Sequence, residues 1–282
     1  MNNEILVSPQ RLQQLILAGD CLAVDCRFDL SDAEKGRNDW LLGHIPGAHY
    51  AHLDDDLASP ATDQSGRHPL PGSGSFAQFL ASLGWSEGQL VVACDAGSNA
   101  LAGRLWWLMR YFGQPAALLD GGLAAWKEAG LPLETGEVAA RPAPIPGLEP
   151  NTKMAVSTDQ VLNNLKSKDD TVLDARSAER FSGEVKVLDA VGGHIPGSVN
   201  RNMMLNLDSS GKFKDPVTLR GEFETLLGTT DADSVVHSCG SGVTACHNLF
   251  AMELAGMGVS KLYVGSWSEW IRDPSRPIST NI

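Results

Sequence analysis

The sequence contains no apolar run near the ~20 residues of a membrane span, and its start lacks the basic and apolar regions of a signal peptide. Cysteine is scarce: the five residues include no CxxC pair, which disfavours a disulfide framework or a zinc site. Lys and Arg number 22 against 34 Asp and Glu, and the net charge of −12 argues against nucleic acid and anionic membranes as partners. We therefore expect a reduced, cytoplasmic protein without a metal, in which a local basic site could still bind a small anion.

Against this background, residues 235–247 concentrate features of a nucleophilic site. The apolar pair 235–236 predicts the end of a buried strand, and Cys239 follows it directly. Gly240 and Gly242 permit a tight loop whose N–H groups can turn towards an anion, and helical periodicity begins near Val243. The positive end of that helix dipole favours the thiolate, which is the nucleophilic form. Cys239 is thus a candidate catalytic cysteine.

The same loop is also compatible with roles that do not involve this chemistry. A free cysteine at a strand end is commonly a small core residue. Phosphatases that use a Cys-x5-Arg loop need an arginine six residues after the cysteine, and here that position is Ala245. Ser241 can relay a proton, hydrogen-bond a bound sulfur or shape the turn, and Thr244 is expected to cap the following helix.

The chain also contains an internal repeat. Both halves carry an Asp-x-Arg motif after a strand and a Gly-His-Ile-Pro-Gly segment, at 25–27 and 43–47 and again at 174–176 and 193–197. Cys239, Gly265 and Trp270 each lie 144 residues after their counterparts Asp95, Gly121 and Trp126. Two long copies indicate a duplicated domain and not a solenoid.

Short apolar strands alternate with helical segments in each copy, which predicts an α/β fold with a mostly parallel sheet flanked by helices. Helices are predicted from Pro9 to Ala18, after a capping box at Ser157, and at 75–83, 100–112 and 243–254. A proline-rich segment predicts a linker at 141–155 between domains at 1–140 and 156–282.

Taken together, the Cys-Gly-Ser-Gly-Val-Thr-Ala loop, the two Gly-His-Ile-Pro-Gly segments and the Trp-Ser-Glu-Trp near the end resemble the tandem-domain rhodanese-type sulfurtransferases, most closely the 3-mercaptopyruvate sulfurtransferases. The resemblance implies two rhodanese-like domains and an enzyme that needs no cofactor. Cys239 would take a sulfane sulfur from 3-mercaptopyruvate as a persulfide. It would then pass the sulfur to cyanide or to a thiol such as thioredoxin or glutathione. In the first copy Asp95 stands where the cysteine should be, so that copy would be catalytically silent.

The resemblance also implies residue roles. Arg180 matches a substrate-binding arginine, and the substrate would lie along the loop Gly240, Ser241, Gly242, Val243 and Thr244. Relatives carry a second arginine further on, where this chain offers only Lys186. His44 and Asp32 are a candidate proton relay, and Arg67 and His68 are candidates for the substrate cleft. His194 and Cys246 are expected to be structural.

The donor is predicted from the two residues after Cys239. Thiosulfate-preferring relatives resemble one another in having basic residues there, whereas Gly240 and Ser241 are neutral, which favours 3-mercaptopyruvate. A thiosulfate:cyanide sulfurtransferase is the alternative. A non-catalytic sulfur-carrier or binding module is a further alternative, against which the retained Cys239 argues.

Overall fold

The structure is a computed structural model that describes residues 4–139 and 141–280. Two predictions involve residues outside these ranges: the interpretation of the first residues, which include Met1–Asn3, and the domain limit at residue 140. The chain divides into two units of similar size. Unit 1 contains the residues up to Ser59, Leu70–Asn151 and Ser209–Lys212. Unit 2 contains Pro60–Pro69, Thr152–Asp208 and the residues from Phe213 onwards. The sequence did not predict that residues 60–69 are part of unit 2.

Unit 1 is built on a five-stranded sheet in the order β1-β5-β4-β2-β3, and every strand pairing is parallel. Apolar residues dominate its central strands because helices cover both faces of a parallel sheet. The strands are β1 (Leu6–Val7), β2 (Cys21–Asp25), β3 (His49–Tyr50), β4 (Leu90–Cys94) and β5 (Ala116–Leu119).

The helices of unit 1 are α1 (Pro9–Ala18), α2 (Ala33–Leu42), α3 (Ser73–Ser82), α4 (Ala102–Tyr111) and α5 (Gly122–Glu128). The ends of α1 agree with the prediction: the Ser8 hydroxyl accepts from the Arg11 N–H, and Gly19 ends the helix at a φ of 74°. The predictions for α3 and α4 are within two residues of the observed bounds.

Unit 2 repeats the same sheet with the order β6-β10-β9-β7-β8, again with parallel pairings. Its strands are β6 (Ala155–Val156), β7 (Thr171–Asp174), β8 (Val199–Asn200), β9 (Val235–Ser238) and β10 (Lys261–Tyr263). The duplicated α/β fold with a parallel sheet in each copy is therefore confirmed.

The helices of unit 2 are α6 (Thr158–Ser167), α7 (Ala178–Ser182), α8 (Pro216–Leu227), α9 (Ala245–Leu254) and α10 (Ser266–Trp270). Short 3-10 turns cover Thr152–Met154, Met203–Asn206 and Ala232–Ser234. The predicted capping box at the start of α6 is present, with the Ser157 and Gln160 side chains each bonded to the other's backbone N–H.

The repeated motifs have the same structural role in both units. In unit 1 Arg27 pairs with Asp25 and donates to the Gly43 carbonyl at 2.8 Å. In unit 2 Arg176 pairs with Asp174 and donates to the Gly193 carbonyl, also at 2.8 Å. These ion pairs tie the end of a central strand to the Gly-His-Ile-Pro-Gly segment. The motif therefore stabilises the fold.

The predicted linker is not a free spacer. The N–H of Ala143 donates to the Ala81 carbonyl, and that of Asn151 donates to the Tyr111 carbonyl, so residues 141–151 pack on unit 1. At its other end Ala155 already belongs to β6 of unit 2. The segment keeps the predicted absence of helix up to Asn151 because its prolines lack the N–H groups that a helix needs.

A buried histidine makes unit 2 sensitive to acid. Neither ring nitrogen of His237, in β9, has a hydrogen-bond partner among the described residues, and burial lowers its pKa from 6.5 to about 3. The unfolded chain takes up a proton at this residue below about pH 6.5, whereas the folded chain keeps it neutral. Stability due to this group is therefore present above pH 6.5 and is lost as the pH falls towards 3.

We expect this one residue to reduce the free energy of unfolding by about 2 kcal/mol between pH 7 and pH 5. His237→Leu, which has no titrating group, should show a flatter pH dependence in urea unfolding over this range. The comparison uses the slope with pH, so any packing change common to all pH values cancels. Parallel profiles for the two proteins would contradict the prediction.

Candidate active site

The candidate nucleophile lies in the loop that connects β9 to α9. Cys239 directly follows β9 and its side chain is buried. Its N–H donates to the Ser266 hydroxyl at 3.1 Å, and its carbonyl accepts from the Trp267 N–H at 3.0 Å. The Gly240 carbonyl accepts from the Ser268 N–H at 2.9 Å. The start of α10 therefore fixes the first two residues of the loop.

Glycine is required at position 242 for two reasons. Its φ of 75° is a left-handed conformation that other residues rarely adopt, and a Cβ there would lie 2.3 Å from the Val264 carbonyl oxygen. The helix α9 begins at Ala245, two residues later than predicted. Thr244 stands at the N-cap, but its side chain makes no capping hydrogen bond, so the predicted capping role of Thr244 is wrong.

Several N–H groups of the loop remain available to an anion. Among the described residues, no hydrogen-bond acceptor faces the N–H groups of Gly240, Ser241, Val243 and Thr244. An unpaired buried N–H costs free energy, so such donors commonly serve a ligand or water. The predicted substrate-binding loop thus has free donors beside Cys239.

The matching loop of unit 1 has its donors occupied by its own side chain. Asp95 Oδ1 accepts from the N–H groups of Gly97 and Asn99 at 3.0 and 2.9 Å. Its Oδ2 accepts from Leu101 and Ala102 at 3.0 and 3.4 Å. Positive φ occurs at Asn99 in unit 1 and at Gly242 in unit 2, which differ by one position in the repeat. Each loop nevertheless surrounds the side chain that follows the central strand of its sheet. In unit 1 that side chain is a carboxylate, and in unit 2 it is a thiol.

The neighbouring thiol in unit 1 is a poor nucleophile. Burial, together with the Asp25 carboxylate and other nearby groups, raises the pKa of the Cys94 thiol well above its usual range. Because only the thiolate is a good nucleophile, Cys94 remains in the unreactive form at neutral pH.

Two arginines converge on the loop of unit 2. A Cβ at Gly240 would lie 2.9 Å from Arg67 Nη2 and 3.1 Å from Arg180 Nη2. Asp189 joins them: its Oδ1 accepts from Arg67 Nη1, and its Oδ2 accepts from Arg180 Nη2 at 3.1 Å. The absence of a side chain at position 240 therefore leaves space for two guanidinium groups next to Cys239.

The segment 60–69 also brings a histidine to the loop. His68 Nδ1 lies 2.7 Å from the Ser241 hydroxyl, and both side chains are buried. The segment is held by α10, since the Arg67 N–H donates to Ser268 Oγ and the Gly66 N–H donates to Glu269 Oε2. Unit 2 thereby combines a thiol, two guanidinium groups and a serine–histidine pair in one site.

The remaining candidate residues have different positions. His44 is buried, with Nδ1 2.8 Å from the Trp40 carbonyl oxygen, and Asp32 is an exposed N-cap of α2. The structure does not bring these two side chains together, so it gives no support to the predicted relay. His194 has the expected structural role, with Nδ1 2.8 Å from the Phe181 carbonyl oxygen.

Lys186 is exposed and has no ion pair or hydrogen bond to any described residue. The sequence led us to expect Lys186 as the second cation near the loop. The structure instead places Arg67 there, a residue that the sequence analysis named only as a candidate for the substrate cleft. Asp189 was not predicted as a site residue. The only signal for it was its place in the segment 184–189, where this chain departs from its relatives.

The described residues include no group of three or more His, Cys, Asp or Glu side chains able to hold a metal ion. None of the described helices has the length and apolar character of a membrane span.

The chain thus has two copies of a parallel five-stranded sheet, and in the second copy a cysteine loop follows the central strand. The Rhodanese-like domain family matches residues 8–129 and 157–273, and the chain belongs to this family.

Its relatives include a protein of Pseudomonas aeruginosa described as a probable 3-mercaptopyruvate sulfurtransferase, 44% identical over 99% of this chain and 99% of its own length. A thiosulfate sulfurtransferase of Bos taurus is 33% identical over 94% of this chain and 91% of its own length. The crystal structure of an Escherichia coli 3-mercaptopyruvate sulfotransferase has a TM-score of 0.81 and 31% identity, and covers 94% of this chain and all of that one.

Proposed function

We propose that this chain is a sulfurtransferase that takes a sulfane sulfur from 3-mercaptopyruvate through a persulfide on Cys239. The observation that carries the proposal is the group of free N–H donors and two arginines around the Cys239 thiol. The similarity to relatives described as 3-mercaptopyruvate sulfurtransferases supports the choice of donor.

In the first step the Cys239 thiolate attacks the sulfur of the donor. A bond forms between Sγ and that sulfur, and the bond between the sulfur and C3 of the donor breaks. The electron pair of this bond moves to C3, where the adjacent carbonyl delocalises it as an enolate. The proton of the donor thiol ends on C3, so the products are pyruvate and a persulfide anion. This is covalent catalysis with two half-reactions, and ping-pong kinetics follow.

Each part of the site has a role in this step. Arg67 and Arg180 bind the donor carboxylate, because a guanidinium forms strong charge-assisted hydrogen bonds with it. Ser241 and His68 move the proton: with the ring proton on Nε2, His68 Nδ1 accepts from the Ser241 hydroxyl at 2.7 Å. The loop N–H groups of Gly240, Ser241, Val243 and Thr244 stabilise the charge that collects on the outer sulfur.

The occupied loop of unit 1 supports the site of the persulfide. The carboxylate oxygens of Asp95 lie two bonds beyond Cβ, as the outer sulfur of a cysteine persulfide does. Four N–H groups bind those oxygens in unit 1. We infer that the free donors of unit 2 bind the outer sulfur similarly. The first predicted domain, residues 1–140, would be catalytically silent because a carboxylate cannot accept a sulfane sulfur, although its residues 60–69 belong to unit 2.

The acceptor in the second step is a nucleophile that attacks the outer sulfur and releases the Cys239 thiolate. We propose a thiol such as reduced thioredoxin or glutathione, with cyanide as the acceptor in an assay. A persulfide cycle needs reduced thiols, which favours a reducing compartment such as the cytoplasm. The free state of all five cysteines agrees with this proposal.

The donor is tested by comparing two substrates with cyanide as the common acceptor. We expect kcat/KM for 3-mercaptopyruvate to exceed that for thiosulfate by at least about tenfold, because Asp189 pairs with both arginines and leaves the site with one fewer charged contact, worth ~1.5–3 kcal/mol, than a dianion needs. Formation of thiocyanate measures both rates. If thiosulfate is the better donor, the chain is a thiosulfate sulfurtransferase, for which its two arginines and its similarity to the Bos taurus enzyme would account.

A further inference from the structure

Asp189 occupies an unusual position for an acidic residue, between the two arginines that face the loop. Its carboxylate is buried and binds Arg67 with one oxygen and Arg180 with the other. The preceding residue, Leu188, has a φ of 68°, a strained conformation for a side chain of this kind. The Leu188 carbonyl also accepts from Arg67 Nη1, at 3.5 Å. This strained backbone presents two acceptors to Arg67, the Leu188 carbonyl oxygen and Asp189 Oδ1.

The arginines retain donors for a ligand. Among the described residues, neither Arg67 Nη2 nor Arg180 Nη1 makes a hydrogen bond. Both Nη2 groups approach Gly240, beside the nucleophile. Asp189 thus leaves the guanidinium groups able to bind an anion, but it neutralises one of their two charges. The cluster of Arg67, Arg180 and Asp189 has a net charge of +1.

We infer that Asp189 is a positioning residue that selects the sulfur donor by charge. The inference rests on the proposed function and names a determinant of its specificity. A net charge of +1 matches a monoanion with one carboxylate, which is the class of donor to which 3-mercaptopyruvate belongs. Thiosulfate is a dianion, and in this site one of its charges is left without a partner.

The test is the ratio of kcat/KM for thiosulfate to kcat/KM for 3-mercaptopyruvate, measured in the full chain. Asp189→Asn keeps the size of the side chain and one acceptor oxygen but raises the cluster charge to +2. The dianion carries one more negative charge than the monoanion, so removing the charge of Asp189 should raise the ratio by roughly tenfold or more, as expected for unit charges that interact near a protein surface. Asp189→Glu keeps the charge, and its ratio should stay within about twofold of the wild type.

The change should appear mainly in KM for thiosulfate, because the added charge acts on binding. If the substitution only disrupts the structure of the cluster, kcat/KM for both donors should fall together and their ratio should stay unchanged. An unchanged ratio overturns the inference. An Asp189→Glu variant whose ratio shifts as far as that of Asp189→Asn also overturns it.

Mass analysis of Cys239 separates this inference from the proposed function. If the wild-type chain gains no sulfur from either donor, the proposed function fails. If the wild type and Asp189→Asn both form the Cys239 persulfide and have the same ratio of kcat/KM for the two donors, only the inference about Asp189 fails.

Discussion

Cys239→Ser is expected to abolish sulfur transfer, lowering kcat/KM for 3-mercaptopyruvate by roughly 10⁴-fold or more, as removal of a catalytic nucleophile does in other covalent enzymes. The serine hydroxyl is similar in size to the thiol, so the loop and its contacts with α10 should persist. An oxygen in place of Sγ cannot form the persulfide, and no other described thiol lies in such a loop.

Two measurements check this result. Thiocyanate formation should disappear in Cys239→Ser, and intact-mass analysis after donor treatment should show one added sulfur atom in the wild type and none in the variant. Cys94→Ala and Cys246→Ala are the matched controls, since both thiols are buried and neither is expected to carry sulfur. A persulfide mapped to Cys94, or activity retained in Cys239→Ser, would overturn the assignment of the nucleophile.

The elements that the sequence predicted well are those with a local physical cause. The capping box of Ser157 and Gln160 and the glycine after α1 depend on residues within one helical turn. The repeat extended this local information, because two copies with the same motifs must form the same parallel sheet. The position of Cys239 at the end of β9 followed from the same reasoning.

The residues around Cys239 depend on contacts between distant parts of the chain, and the sequence predicted them less well. His68 and Ser241 are 173 residues apart in sequence, and no periodicity links them. The charge of the loop was also underestimated. Gly240 is neutral, which suggested a loop without cations, but its missing side chain is what allows Arg67 and Arg180 to approach. The site therefore has two cations that the residues after Cys239 do not reveal.

Asp189 illustrates a different limit. In the segment 184–189, the resemblance to relatives directs attention to a second arginine and not to the acidic residue at its end. The role that we infer for Asp189 rests on a strained backbone at Leu188 and on two ion pairs, which only the structure reveals. Residues that bind charged partners at a site can be recognised from composition less easily than residues that cap a helix, because the partners are set by the fold.

The second large effect is expected from the segment 60–69. In the full chain, replacing Arg67 and His68 together by alanine should lower kcat/KM for 3-mercaptopyruvate by about 10³-fold or more. In the proposed mechanism Arg67 provides a charge-assisted contact for the donor, typically worth 10- to 100-fold, and His68 takes part in proton transfer through Ser241, typically worth at least 100-fold. A chain of residues 151–282 lacks both side chains and should fall to the same level.

Lys186→Ala is the matched control, since it removes a cation near this site in sequence that has no described contact with the loop. We expect its kcat/KM to stay within about twofold of the wild type, because an exposed charge is screened by water and salt. We expect the double variant to fold, because the contacts that hold the segment to α10 use the backbone N–H groups of Gly66 and Arg67, which these substitutions keep. Its thermal unfolding checks this expectation. A folded double variant within about tenfold of the wild type would contradict the role of the segment, whereas a large loss in Lys186→Ala would restore the role that the sequence assigned to that lysine.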